Sequence, residues 1–525
     1  MNLVIIFCLV LTFYAALLTS LIVTPWVRTA ARRFDFVDHP DGGRKTHSHA
    51  IALCGGVAVL ISAVVAVLWA MSAASAMGQN LLEGLEREYA GLMGAVLVIV
   101  FVGLIDDRIS LRGWYKLAGQ IAACCLLMGS GLLIEQLSVL GWNIELGVGT
   151  VPFTLLWMLA AINAINLIDG IDGLASTVGI VLCLTLTALA IMVGNYVSAI
   201  VVLALAGALL GFLRYNFAPA SIFLGDSGSM LIGLVIGAVA IASSMKEAAT
   251  MTMAIPFAVC AIPLLDSAAA IVRRKLTGRS VFVTDRGHFH HVLLVRGWSV
   301  RQTVVIIGLM CAVTCGGALV GLYFRQPIVA IITVLGMVAF LVVTKTFGHV
   351  EFALVTERVR STASALADRR KMASSDVRQS CIQLQGSEEW REVWAALTES
   401  TEDYDLCRIE LTLNLPALHE VFYATWDSGR HEHKNADPWR LASPLIVDSQ
   451  TIGKIVVTGA GSEGSSFAHI GQIADFLEPI EEDIQRIVGE LTARKQSASA
   501  AVATGNESAK DAQEAVETHR ATSPG

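Results

Sequence analysis

Apolar segments of about 20 residues recur from Leu3 to about residue 345, each long enough to cross a bilayer core of roughly 30 Å. No other feature constrains the chain as strongly, and it makes the expected fold class an all-α polytopic membrane protein. Composition agrees: 54 % of the 525 residues are hydrophobic and only 15 % charged, with a mean hydropathy of +0.63. An ordinary soluble enzyme is excluded.

Eleven spans are expected, near 3–23, 51–71, 90–105, 117–134, 152–168, 175–193, 197–213, 228–245, 250–272, 302–322 and 328–344. The loops at 24–50, 106–116, 214–227 and 273–301 hold 16 Lys and Arg, whereas the opposite loops hold only Arg87, Lys246 and Arg325. The positive-inside rule places the basic loops in the cytoplasm and the N-terminus outside. The first apolar run lacks a basic leader and a small-residue cleavage site, so it reads as an uncleaved span. The ten cysteines fall mostly inside apolar runs without paired spacing, which argues against a disulfide framework.

Charge divides the chain. Up to residue 344 there are 19 Lys and Arg against 16 Asp and Glu; beyond it there are 18 against 28. With an odd number of spans, the acidic part is expected in the cytoplasm. The expected organisation is a transmembrane domain at 1–345, a helical linker at 346–385, a small cytoplasmic α/β module at 386–495, and a disordered tail at 496–525 too poor in large apolar residues to fold. Within the module, strand-like runs fall at 407–413, 420–426, 440–447 and 452–458. A short external hairpin is expected at 135–151, around Gly141 and Asn143.

The basic loops carry polar blocks that are costly at a membrane boundary. The first contains Asp41-Gly42-Gly43-Arg44-Lys45-Thr46-His47, followed by Gly55-Gly56 at the start of span two. Arg28, Arg32 and Arg33 suit a positive-inside anchor, whereas Lys45 and His47 suit an anion-binding entrance. The third span ends in Asp106-Asp107, with Lys116 nearby; adjacent carboxylates on a helix point about 100° apart, so one can face a cation and the other a substrate. Acids at a helix C-terminus oppose its dipole, which disfavours a plain capping role.

The fifth span ends Asn163-Ala164-Ile165-Asn166-Leu167-Ile168-Asp169-Gly170-Ile171-Asp172-Gly173, setting hard oxygen ligands beside a flexible turn. Gly225-Asp226-Ser227-Gly228 opens span eight; an acid between glycines at a helix N-terminus suits Mg²⁺ and phosphate. The longest loop reads Asp285-Arg286-Gly287-His288-Phe289-His290-His291. Its imidazoles could bind Zn²⁺, but the other ligands are Asp and Asn oxygens, which suit Mg²⁺ or Mn²⁺ and favour a phosphate or sugar contact for the histidines.

In this order and on one face, the five blocks resemble the polyprenyl-phosphate N-acetylhexosamine-1-phosphate transferase family, and most of all its bacterial undecaprenyl-phosphate GlcNAc-1-phosphate branch. The likeness covers roughly residues 1–345. Asp285-x-x-His288-x-His290-His291 and Arg44-Lys45-x-His47 carry the branch assignment. Ala52 stands where the family commonly has proline, and Gly42-Gly43 replaces a usual Asn-containing turn.

The resemblance implies transfer of N-acetylhexosamine-1-phosphate from a UDP-sugar to a polyprenyl phosphate, releasing UMP, as the first membrane step of a cell-envelope polysaccharide. It implies Mg²⁺, with Mn²⁺ as the alternative, held by Asp226 and Asn166. Asp106 and Asp107 would orient or deprotonate the lipid phosphate, and Lys45 and Lys116 would bind the phosphates. Asp169 and Asp172 would serve the nucleotide side, and Arg286, His288, His290 and His291 the sugar phosphate. The expected partners are the UDP-N-acetylhexosamine, the polyprenyl phosphate and the bilayer; a homodimer is compatible, and nucleic acid is not expected. One rival is a divalent-cation transporter or sensor with a signalling tail, but mid-span charge is nearly absent apart from Asp266 near Pro263. A glycosyltransferase releasing UDP is the other.

Overall fold

The computed structural model describes residues 3–38, 50–79, 86–139, 142–245, 254–276, 287–344, 346–347, 378–385, 389–399, 406–415, 420–428, 439–447, 450–459 and 482–493. The chain forms two compact units, Met1–Ala353 and Leu354–Gly525. Residues 348–377 of the expected linker helix and the tail at 496–525 lie outside the described residues.

The first unit is helical: α1 Leu3–Arg33, α2 Gly55–Ala76, α3 Glu86–Ile109, α4 Gly113–Gly129, α5 Thr150–Ile168, α6 Leu174–Met192, α7 Tyr196–Asn216, α8 Gly225–Met245, α9 Ala254–Val259, α10 Ala261–Leu276, α11 Phe289–Val295, α12 Val300–Tyr323 and α13 Pro327–Val343. Eight helices among the described residues are long and apolar enough to cross a membrane: α1, α2, α3, α5, α6, α7, α8 and α12. Of the other three expected spans, α4 and α13 have 17 residues each. The third is broken at Cys260 into α9 and α10. Pro263 has no N–H to offer the Val259 carbonyl, which accepts the Cys315 thiol instead. The chain is thus a mostly helical, polytopic membrane protein.

Lipid tails are as apolar as leucine, so close packing rather than hydrophobic exclusion must join these helices. Small residues make it possible. A Cβ on Gly207 or Gly211 of α7 would press on the Phe13 or Leu17 carbonyl of α1, and Ser20 of α1 donates to the Ala208 carbonyl at 2.7 Å. Gly233 and Gly237 likewise let α8 lie against Ala161 and Met158 of α5, where the Trp157 indole donates to the Gly237 carbonyl at 3.1 Å. Most of α8 is buried, which makes it the hub of the unit.

Short strands trim the ends. β1 (Val37–Asp38) pairs antiparallel with β2 (Ile51–Ala52), and Ala52 bridges Ile222. β3 (Gln136–Val139) pairs antiparallel with β4 (Trp142–Glu145), forming the expected hairpin.

The second unit holds a five-stranded antiparallel sheet of order β5-β7-β6-β9-β8, with β5 at Arg378–Gln385, β6 at Leu406–Leu415, β7 at Glu420–Asp427, β8 at Trp439–Val447 and β9 at Gln450–Gly459. Period-two alternation turns Ile409, Leu411 and Leu413 of β6 into a core and leaves Arg408 and Glu410 outward. Helix α14 (Glu389–Glu399) joins that core through Trp390, Val393, Trp394 and Leu397, and a helix over 482–493 through Ile484, Ile487 and Val488. Strand β5 begins at Arg378, inside the span the sequence assigned to the linker helix.

Candidate active site

The site begins with three helix ends that meet because glycine allows it. A Cβ on Gly56, at the start of α2, would overlap the Gly228 backbone, and one on Gly103 of α3 would overlap the Ser227 backbone. The Gly55 and Gly56 amides donate to the Phe223 and Leu224 carbonyls at 3.0 and 2.9 Å. Gly225, at φ +74°, lies so close to Asp107 that a Cβ would strike its carboxylate. The conformation and the crowding both require glycine there.

Asp107 therefore faces the N-terminus of α8. Its Oδ1 accepts the Asp226 amide at 2.7 Å, and its Oδ2 accepts the Ser227 hydroxyl at 3.0 Å. The Ser227 amide also donates to Oδ2, at 3.4 Å; the first amides of a helix have no acceptor within it, so the carboxylate satisfies them and meets the positive end of the dipole. Although Asp107 ends α3, it caps α8.

Asp106 points elsewhere. Its Oδ1 accepts the Leu111 amide at 2.6 Å, and its Oδ2 meets Lys116 Nζ at 3.0 Å. Lys116, in the first turn of α4, also reaches Asp226 Oδ2 at 2.7 Å, so one ammonium bridges carboxylates from α3 and α8. The Asn166 amide donates to Asp226 Oδ1 and, at 2.9 Å, to Ser229 Oγ. Asp106, Lys116, Asn166 and Asp226 thus form one cluster at the ends of four helices. Among the described residues no three His, Cys, Asp or Glu side chains gather around a single point that could hold a metal ion. The cluster instead offers two carboxylates and an amide.

Past Asn166 the chain turns through Asp169 to Gly173, whose φ of +78° starts α6. Burial, together with the charges of Asp226, Asp107 and Asp172, holds the Asp169 carboxyl well above the usual carboxylate range. Asp172 accepts the Ala220 amide through Oδ2 at 2.8 Å. A Cβ on Gly170 would collide with the His290 ring, so the Asp169 turn and the histidine loop are in contact. His290 is 1 % exposed, and neither ring nitrogen has a hydrogen-bond partner among the described residues. Burial first, and the neighbouring His291 and His288 next, depress its pKa well below the usual histidine range. Its ring lies 4.3 Å from that of His291 and is stacked at 5.9 Å on His288.

Beside the cluster opens a cavity of about 900 Å³. Lys116, Asn166, Gln120 and Asn163 are among its polar lining residues, and the rest is mainly apolar, with Leu159, Phe257, Leu264, Ile271, Val334 and Leu335. Of the expected site residues, Arg44, Lys45, His47 and Arg286 lie outside the described residues. Gln120 had no role in the sequence reading, and Asn163 only a place in the Asn and Asp series of the fifth span; the two exchange amide hydrogen bonds at 2.8 and 3.2 Å one turn deeper than Lys116 and Asn166. Their positions, four residues after Lys116 and three before Asn166, were the available signal.

The first unit is a helical membrane bundle with a carboxylate and ammonium cluster beside a mainly apolar cavity, a pairing of charge and apolar wall that suits an amphiphile. Residues 89–244 match the model of glycosyl transferase family 4. The chain is 34 % identical over 304 residues to the probable undecaprenyl-phosphate N-acetylglucosaminyl 1-phosphate transferase of Bacillus subtilis, covering 58 % of this chain and 82 % of that protein. It is 35 % identical over 370 residues to the decaprenyl-phosphate N-acetylglucosaminephosphotransferase of Mycolicibacterium smegmatis, covering 64 % and 87 %. To the Escherichia coli undecaprenyl-phosphate alpha-N-acetylglucosaminyl 1-phosphate transferase it is 28 % identical, covering 55 % and 77 %. The chain belongs to this family of polyprenyl-phosphate phosphosugar transferases.

Proposed function

We propose that the protein transfers GlcNAc-1-phosphate from UDP-GlcNAc to a polyprenyl phosphate, releasing UMP, in cell-envelope polysaccharide synthesis. The observation that carries this reading is Lys116 bridging Asp106 and Asp226, beside Asn166, at the head of the apolar cavity. A lipid phosphate entering there meets the ammonium, while its isoprenoid chain stays among side chains such as Leu159, Phe257 and Leu335. A phosphate with a second pKa near ~6 is already largely dianionic at pH 7, so it needs little help from a general base. Its oxygen attacks the β-phosphorus of the nucleotide sugar; the bond from that phosphorus to the bridging oxygen breaks, and UMP carries the electron pair away. Positioning and charge neutralisation then account for catalysis.

Mg²⁺ fits the donor chemistry, because it binds hard oxygens through one or two carboxylates plus substrate phosphates rather than a full protein cage. Asp226 and the Asn166 amide oxygen would hold it, with Mn²⁺ as a substitute, and it would neutralise the diphosphate charge. Lys116 would bind the lipid phosphate, and Asp106, held by the Leu111 amide, would orient it. Asp107 keeps the α8 N-terminus in place. Asp169 and Asp172 would face the nucleotide, His288, His290, His291 and Arg286 the sugar phosphate, and Arg44, Lys45 and His47 the anion entrance. The excess of Lys and Arg on one set of loops supports a cytoplasmic site.

Product analysis tests this reading. Purified protein with Mg²⁺, polyprenyl phosphate and UDP-GlcNAc should release UMP in step with lipid-linked sugar diphosphate, and added UMP should drive the reaction back. Asp226→Asn should abolish turnover and weaken Mg²⁺ binding, whereas Asp106→Asn should cripple turnover and keep more of the metal affinity. Stoichiometric UDP in place of UMP would sink the assignment.

A further inference from the structure

Asp266 is 2 % exposed in the interior of α10, far from the carboxylate cluster in sequence, and both of its oxygens are engaged with the histidine loop. Oδ1 accepts the backbone N–H of Phe289 at 2.8 Å, and Oδ2 lies 2.9 Å from His288 Nδ1. A carboxylate buried this deeply persists only when its acceptors are filled. Because the carboxylate can only accept, the proton in the contact with His288 belongs to Nδ1. That leaves Nε2 as the ring edge turned away from Asp266. The same carboxylate also takes one of the first amides of α11, so ring orientation and loop position are set by a single group. From His288 the contact continues outward: its ring stacks on His290 with an interplanar angle of 8°, and His290 presses on Gly170 beside Asp169.

We infer that Asp266 is a positioning residue for the transfer reaction, holding the Nδ1–H of His288 so that the ring, on taking a second proton, donates its Nε2–H to a phosphate oxygen of the bound nucleotide sugar. This deepens the transferase reading and rests on it for the identity of the substrate. Acting through the imidazole, Asp266 fixes the tautomer and supports the charged ring as negative charge grows on the diphosphate. It touches no substrate itself.

Asp266→Asn separates this role from plain structural support, because volume is kept and the amide oxygen can still accept the Phe289 N–H. Its NH₂ then faces Nδ1, forcing the ring proton to Nε2 and opposing the charged form. With nucleotide release as readout, kcat/KM for UDP-GlcNAc should fall at least ~10-fold, mostly in kcat, while KM for the lipid phosphate stays within about twofold. His288→Gln should cost a similar factor, and adding Asp266→Asn to it should change the rate by less than about twofold. An Asp266→Asn enzyme as active as the wild type, or factors that multiply in the double variant, would overturn the inference.

A second readout is independent of activity. In protein labelled with ¹⁵N-histidine, the His288 signal, assigned by its loss in His288→Gln, should show a protonated Nδ1 in the wild type and an unprotonated one in Asp266→Asn. An unprotonated Nδ1 in the wild type refutes the inference even if Asp266→Asn fails to fold. A wild-type enzyme that shows the protonated Nδ1 but yields no UMP faults the transferase reading alone.

Discussion

At the residue scale, the two adjacent acids of α3 divide their work by direction. Asp106 turns to Lys116 and Asp107 to the α8 amides, so neighbours of identical chemistry become a cluster carboxylate and a cap. His290 gives a pH prediction. In the fold its pKa lies well below the usual histidine range, whereas in the unfolded chain it takes a proton near the ordinary value of about 6.5. Below that pH the unfolded state binds the extra proton, so stability falls as pH drops, by up to about 1.4 kcal/mol per unit from this group. The thermal midpoint of the wild type should decline more steeply between pH 7.5 and 5.5 than that of His290→Gln, and equal slopes would refute the argument. The sequence made the meeting of Asp106, Lys116, Asn166 and Asp226 legible, since motif residues fell on one set of loops. It could not tell which acid of the pair caps α8, because that depends on where the neighbouring helix starts.

At the element scale, eight of the eleven expected spans were readable from length and hydropathy, both local properties. The break at Cys260 was not placed, although Pro263 marks it, because apolarity continues unbroken through 254–265 while the hydrogen-bond ladder does not. The glycine contacts joining α2, α3 and α8 were equally hidden, since a glycine shows its purpose only once its neighbour is known. Gly103→Ala tests them. The added methyl meets the Ser227 backbone rather than a yielding side-chain end, so α3 and α8 must separate. That should cost about 1–3 kcal/mol, read as a lower thermal midpoint, and move Asp226 enough to depress turnover. Gly129→Ala, with open space around its Cβ, is the control and should behave as the wild type apart from a small helix effect. An unchanged midpoint for Gly103→Ala would mean that the junction is looser than its geometry.

At the scale of the whole molecule, the cluster and its cavity belong entirely to the first unit, within Met1–Ala353. The second unit, with its own core, is proposed to regulate abundance or association rather than chemistry. Removing residues 354–525 should therefore leave UMP release per folded enzyme within about twofold of the full chain; complete loss from a well-folded truncation would show that the second unit completes the site. The capping of Asp226 and Ser227 by Asp107 also has a consequence for biogenesis. The partners in the Asp226 contact are 119 residues apart. At about 5–20 residues per second, roughly 6–24 s of translation separate them. During that interval α3 is already made while the Asp107 carboxylate waits for the helix it will cap. Asp106 finds Leu111 and Lys116 within ten residues, but the nascent chain must keep the Asp107 carboxylate uncapped until α8 arrives, so the order of synthesis makes the assembled site a late event in membrane insertion.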